Sequence, residues 1–271
     1  MKKLEIYCTT IKYLRVLEKL PKYIKPFGIG LEKYPNFWTT DKSLVNISSQ
    51  NKYIGELSGI FWLWKNKIQH MDKNDLIGNC HYRKMWLNKL YTEKQKTSYL
   101  SLYDSLLSES NNMLSNTDVF QVQAINFKNK TLLEDFKEIH KSDALLKSIT
   151  FLPEIFREKF STHLKGNTFF PLNMFITKVY LFDQYCEVLF PWLNKCLQYC
   201  LENNLCSGYN LRLPAFLTER FTSFWFSQIE NRKTLSYARL GNFYLSNNVN
   251  LFINPLKIPF TFRMYPTIHK Y

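Results

Sequence analysis

Three neighbouring residues, His81, Tyr82 and Arg83, form the densest chemical cluster in the chain. They follow "DLIGNC", Asp75 to Cys80, a short apolar run of strand character. Arg offers a rigid fork of donors that matches phosphate oxygens, and His or Tyr can add further donors. Such a cluster at a strand mouth could stabilise a leaving diphosphate in place of a metal ion. A plainer reading packs His81 and Tyr82 at the strand end and gives Arg83 an ordinary salt bridge. No two Asp residues are spaced D-x-D, a pair that often holds Mg²⁺ or Mn²⁺ against a diphosphate.

Two other stretches hold polar groups suited to a ligand. "TTDKSLVNISSQNKYIGE", Thr39 to Glu56, offers Asp41, Asn46, Ser48, Asn51 and Glu56, which suit a base, a ribose or sugar hydroxyls. Ordinary turn chemistry competes with this reading, and Ser49 and Asn51 read individually as helix N-caps. Glu219-Arg220 sits in "FLTERFTSFWF". Glu219 there is either a general base or half of a structural ion pair, the commoner case. The chain contains no G-x-G-x-x-G, P-loop, HExxH, GxSxG or zinc-spaced Cys/His set, and its five histidines are dispersed.

Positioning such groups needs strands that end together. "LEIYCTT" reads as a buried first strand, a second is expected around Phe27–Leu31, and "DLIGNCHYRKMWL" supplies another. "TDVFQVQAI" and "TFFPLNMFITK" are further strand candidates. "GELSGIFWLWKNKIQHM" has helical spacing, with Leu57, Ile60, Phe61 and Trp64 on one face. "TLLEDFKEIHKSDALLKSITFLPEIFREKFSTHL" reads as helices broken at Pro153. A long amphipathic helix follows from Val179, in which Asp183 is expected near the start, and "PAFLTERFTSFWFSQIE" forms another. The pattern predicts an α/β fold with a mainly parallel sheet and a helical C-terminal part. "NKLYTEKQKTSYLSLYDSLLSES" reads as a polar, mobile stretch, and the tail has no clear period.

The chain has 271 residues, 45% hydrophobic and 17% aromatic, enough for a large packed domain. Lys and Arg number 36 against 22 Asp and Glu, a formal charge of +14. That balance favours anionic partners, although the lysines are scattered and form no basic stripe of the nucleic-acid kind. The six cysteines include no CxxC pair, and no window has the length of a membrane span. A reduced, cytosolic protein without disulfides is expected.

Four blocks in order, "NISSQNKYIGELSGIFWLWKN", "DLIGNCHYRKMW", "LNMFITKVYLFDQYCEVLFPWL" and "FLTERFTSFWF", together resemble a bacterial family of capsule and O-antigen glycosyltransferases long catalogued as a domain of unknown function. Departures are mild: Lys84 stands for the second Arg of H-Y-R-R, Thr218 for the Ser of S-E-R, and Val188 for a Trp. The resemblance implies a GT-A-like nucleotide-sugar transferase over residues 1–230, with 231–271 as an extension packing on it or contacting a membrane or partner. The donor is expected to be UDP-linked, with galactofuranose suggested by some relatives, and the acceptor an oligosaccharide or lipid-linked glycan of capsule or lipopolysaccharide.

The expected donor side is Thr9, Asp41, Asn46, Ser48, Asn51, Glu56, Lys65, Tyr82 and Arg83, and the acceptor side Asn173, Met174 and Arg220. Glu219, His81 and Arg83 are the catalytic candidates. No cofactor is expected to be required, including Mg²⁺ or Mn²⁺. The expected location is the cytoplasm, peripheral on the inner face of the cytoplasmic membrane, with no nucleic-acid partner. The competing functions are a non-catalytic assembly protein of the same fold and a basic nucleic-acid-binding protein.

Overall fold

The computed structural model describes residues 3–88 and 106–239, with the backbone of 97–98 and 260–261. Most of the stretch read as polar and mobile, 88–110, and most of the tail lie outside the described residues. The strands are β1 (Leu4–Thr10), β2 (Ile24–Gly28), β3 (Thr39–Thr40), β4 (Leu76–His81), β5 (Lys84–Trp86), β6 (Thr97–Ser98), β7 (Val119–Val122), β8 (Ile125–Asn126), β9 (Thr168–Phe169), β10 (Phe175–Lys178), β11 (Arg232–Leu235), β12 (Tyr237–Arg239) and β13 (Phe260–Thr261). The α-helices are α1 (Asn51–Ile54), α2 (Leu57–Asn66), α3 (Leu132–His140), α4 (Ala144–Ser148), α5 (Glu154–Lys165), α6 (Val179–Glu202) and α7 (Leu213–Ser227).

The central sheet runs β3-β2-β1-β4-β10-β7-β11. All its strands are parallel except β10, which runs against both β4 and β7. This is the mainly parallel α/β architecture that the alternation of elements predicts, and it fits the GT-A-like fold that the family resemblance implies. Gly78 sits where β4 meets β10, and a Cβ there would lie 2.6 Å from the Ile176 side chain. A larger residue would push the reversed strand away.

Each face of the sheet carries its own core. Tyr7, Ile77, Val119 and Phe175 face α2, α6 and α7. Ile6, Cys8, Cys80, Phe120 and Ile176 face the opposite layer, with Trp86 and Leu106. The six cysteines are all free. Among the described residues, no helix is long and apolar enough to cross a membrane.

Two local expectations change. The second strand starts at Ile24, three residues early, because Pro26 is no obstacle there. The Ile29 N–H bonds the Thr10 carbonyl, so odd-numbered amides of this segment face β1 and Pro26 faces away, before β3 begins to pair. "TFFPLNMFITK" splits into β9 and β10 at Pro171, beside Leu172 at φ 70°. The residues after 230 continue as β11 along β7 and β12 along β5, so this part of the extension packs on the domain through strand ladders.

Candidate active site

The loops leaving β1, β2, β3 and β4 emerge at one end of the sheet. β1 lies between β2 and β4, so the chain switches direction across it and leaves a crevice at these carboxyl ends. Because β10 is antiparallel, its first residues, Asn173 to Phe175, arrive at the same place.

Alternation decides what each residue of the strand mouth faces. Asn79 and His81 share a face with Ile77, toward the helices. Cys80 and Tyr82 point into the opposite core, where Tyr82 is buried. Tyr82 and Arg83 form the two-residue turn of a β4–β5 hairpin in which His81 pairs with Lys84. His81-Tyr82-Arg83 therefore cannot face a diphosphate together. Arg83 is exposed at the hairpin tip, and its Nη2 donates to the Tyr82 hydroxyl at 2.7 Å.

His81 is held by its neighbour on β1. The Thr9 hydroxyl donates to the Cys80 carbonyl at 3.0 Å and lies 3.3 Å from His81 Nδ1. With its proton used, Thr9 can only accept from the ring, which puts the proton on Nδ1 and leaves Nε2 as an acceptor. Burial lowers the His81 pKa to about 4; the Glu56 carboxylate opposes this, and Lys84, Arg212 and Arg83 reinforce it. The imidazole is thus neutral near pH 7, and the cationic field of the site comes from Lys84, Arg212 and Arg83.

Glu56 opens α2 at the crevice. Its Oε1 accepts from Asn173 Nδ2 at 2.8 Å. Asn173 Oδ1 accepts from the Thr222 hydroxyl, which meets the Tyr185 hydroxyl at 2.7 Å. Asn79 completes the support: its amide donates to the Asn173 carbonyl and its Oδ1 accepts the Phe175 N–H. A buried polar relay therefore fixes Glu56 from behind, tying α2, β4, β10, α6 and α7 at one point.

Glu219 enters from α7. Burial pushes its carboxyl up to about 7; Arg220 opposes this, Glu56 reinforces it and Lys84 opposes it. The side chain keeps 21% exposure, so a ligand in the crevice can reach it. Arg220 is a poor ion-pair partner for it: its Nη2 binds Asp135 Oδ2 at 2.9 Å, while its Nη1 stays 3.5 Å from Glu219. The guanidinium also lies 4.2 Å from the Phe169 ring centroid. Arg220 is thus largely a structural cation, and Glu219 is left weakly paired.

On the far side of the crevice, Asp41 is fully buried after β3. Its Oδ2 accepts from Ser58, and burial raises its pKa against the Ser58 hydroxyl and the Gly30 N–H. Asn51 is not a helix cap: its amide turns inward to the Gly55 carbonyl at 2.8 Å and Ser58 Oγ at 2.9 Å. Gly30, at φ 80°, leaves room for it, since a Cβ would sit 3.0 Å from Asn51 Oδ1.

Other expected residues do not join the site. Asn46 and Ser48 bond each other and their own exposed turn. Lys65 lies over the Trp64 ring at the far end of α2, about 13 Å along the axis from Glu56. Met174 packs in the opposite core. Asp183 accepts from Trp64 Nε1 rather than opening its helix. Lys84, Arg212, Asn79 and Thr222 are the contributors not picked out from sequence. Lys84 carried a signal in its charged replacement of an Arg; Arg212 carried none.

The family described as "Domain of unknown function (DUF4422)" matches residues 5–232. This chain belongs to the DUF4422 family. The matched range contains every crevice residue described above. The DUF4422 chain is also similar to a solved structure described as the WbbM bifunctional glycosyltransferase in apo form. The TM-score is 0.68 at 18% identity, covering 89% of this chain and 46% of that one. The DUF4422 chain therefore spans about half the length of that structure, and the likeness is one of fold. No curated protein matches.

Proposed function

We propose that this crevice transfers a sugar from a nucleoside-diphosphate donor to a glycan hydroxyl. The observation that carries the reading is the convergence of Glu219, Glu56, neutral His81 and cationic Lys84 at the switch point of a GT-A-like sheet. A carboxyl with a pKa near 7 suits a general base at neutral pH. In the step, Glu219 takes the proton from the acceptor hydroxyl as its oxygen bonds the anomeric carbon. The bond from that carbon to the diphosphate oxygen breaks, and Lys84, Arg83 and Arg212 offset the charge on the leaving group. Glu56 and His81 Nε2 orient sugar hydroxyls. The nucleotide side lies at the carboxyl ends of β2 and β3, where buried Asp41, Asn51 and Ser58 hold the loops from behind.

The finer reading is a UDP-linked donor, with galactofuranose among the sugars, and a capsular or lipopolysaccharide acceptor. The family resemblance supports it. A divalent cation is read as dispensable, a reading supported by the cations Lys84, Arg212 and Arg83 gathered around His81. Peripheral association with the inner membrane face is supported by Leu31, Phe37 and Leu44, which are 95%, 76% and 73% exposed on the loops around β3, beside exposed Lys33 and Lys42. Titration calorimetry with uridine, cytidine and guanosine diphosphates tests the central reading. Uridine diphosphate is expected to bind; no binding of any of the three at millimolar ligand overturns it.

A further inference from the structure

Arg212 ends the one-turn helix Gly208–Arg212 and stands at the lip of the crevice. Its Nη1 lies 3.6 Å from where a Cβ on Gly55 would stand, next to Glu56, and its charge reaches His81. The side chain is exposed, so the backbone that carries it decides where the guanidinium stands. On one side that backbone is fixed, because Leu213 and Pro214 are buried at the start of α7. The other side lacks such support. Asn203, Asn204, Ser207 and Gly208 are exposed, and a Cβ on Gly208, at φ 52°, would meet nothing within 4 Å. A single turn does not hold itself, since it fixes several backbone torsions for few hydrogen bonds.

Asn210 supplies the missing hold. Its Nδ2 donates to the His140 carbonyl at 2.8 Å, and its Oδ1 meets His140 Nδ1 at 2.9 Å. His140 is the last residue of α3, so its carbonyl has no partner within the helix and needs one outside it. With the amide nitrogen turned to that carbonyl, Oδ1 can only accept, which puts a proton on His140 Nδ1. The imidazole is itself fixed: it is buried, with the Phe136 and Phe216 ring centroids 4.4 Å and 4.6 Å away. A side-chain amide offers a donor and an acceptor side by side, which matches the pair that His140 presents. Residues 70 apart in the chain are thus joined two positions before Arg212.

We propose that Asn210 and His140 form a latch that positions Arg212 for the diphosphate of the donor. Both act through Arg212, as positioning residues rather than catalytic ones. A cation held in place loses little freedom on binding, whereas a loose one must be ordered first. The inference rests on the transfer reading for its biological role. Its own test uses backbone exchange and inorganic pyrophosphate, and needs no sugar transfer.

Hydrogen exchange and titration calorimetry with pyrophosphate at low salt, both on the full chain, read the latch. The amides of residues 210 and 213 bond the carbonyls of Ser207 and Asn210. In Asn210→Ala their exchange is expected to speed up about tenfold, as the turn opens locally. Arg212→Ala is expected to weaken pyrophosphate about tenfold, the loss of one charge-assisted hydrogen bond. Asn210→Ala is expected to weaken it about fivefold when Arg212 is present and not at all in the Arg212→Ala background. His140→Phe keeps the ring packing and the carbonyl but loses one of the two bonds, and is expected to fall between wild type and Asn210→Ala. Thermal melts confirm that the variants fold. Unchanged exchange in Asn210→Ala, no pyrophosphate binding to wild type, or an equal loss with and without Arg212 overturns the latch. If these results come out as expected but wild type neither binds uridine diphosphate nor consumes a donor, the latch stands and the transfer reading falls.

Discussion

Glu219→Gln separates a general base from a structural ion pair because the two roles move stability in opposite directions. Glu219 has a folded pKa raised from 4.5 to about 7. Its favourable contribution is complete below pH 4.5, where both folded and unfolded states are protonated, and is lost as pH rises through 7. In full, a shift of that size costs about 3 kcal/mol once the group is ionised. A fifth of the side chain is exposed and solvent recovers part of this, so about 1–2 kcal/mol is expected. Gln keeps the shape and never ionises. The variant should therefore match wild type near pH 4.5 and exceed it at pH 8, by roughly 2–6 °C in Tm. Turnover should fall by about two to four orders of magnitude, while nucleotide binding persists. Wild-type kcat/KM should decline below about pH 7 with the uptake of one proton. Thermal melts across pH and a donor-consumption assay read all of this. If the variant is less stable than wild type at pH 8, Glu219 serves the Arg220 pair; if it turns over normally, it is not the base.

Lys84→Met should cost turnover about a hundredfold, the usual worth of a preorganised charge donor, and more than Arg83→Ala, whose guanidinium sits at the exposed hairpin tip; an equal loss in single-turnover assays would contradict the placement. Asn173→Ala removes the amide that holds Glu56 and the acceptor of Thr222, and should lower stability by about 2 kcal/mol in urea melts; an unchanged midpoint would mean the relay is not structural. Activity should survive chelation, and abolition by a chelator with recovery on adding Mn²⁺ would refute metal independence. Vesicles containing phosphatidylglycerol should co-sediment the protein, and paired Leu31→Ser and Phe37→Ser changes should release it; binding that ignores the pair would place the contact elsewhere.

The sequence by itself carried the information that is local or periodic. The alternation of apolar runs with helical spacing was enough for the α/β class and its mainly parallel sheet. The polar loop before α2, the strand mouth at His81 and the Glu219 helix were visible as isolated candidates. What they do relative to one another depended on contacts between residues far apart in the chain. Tyr82 stands next to His81 in sequence, yet the two-residue period of a strand sends it into the opposite core. Asn173 and Glu56 are 117 residues apart, and only the reversal of β10 against β4 brings that amide to that carboxylate. Asp135, 85 residues before Arg220, captures the Arg220 guanidinium and leaves Glu219 weakly paired. Burial, which raises one carboxyl to about 7 and lowers one imidazole to about 4, is a property of the surroundings and appears in no single segment.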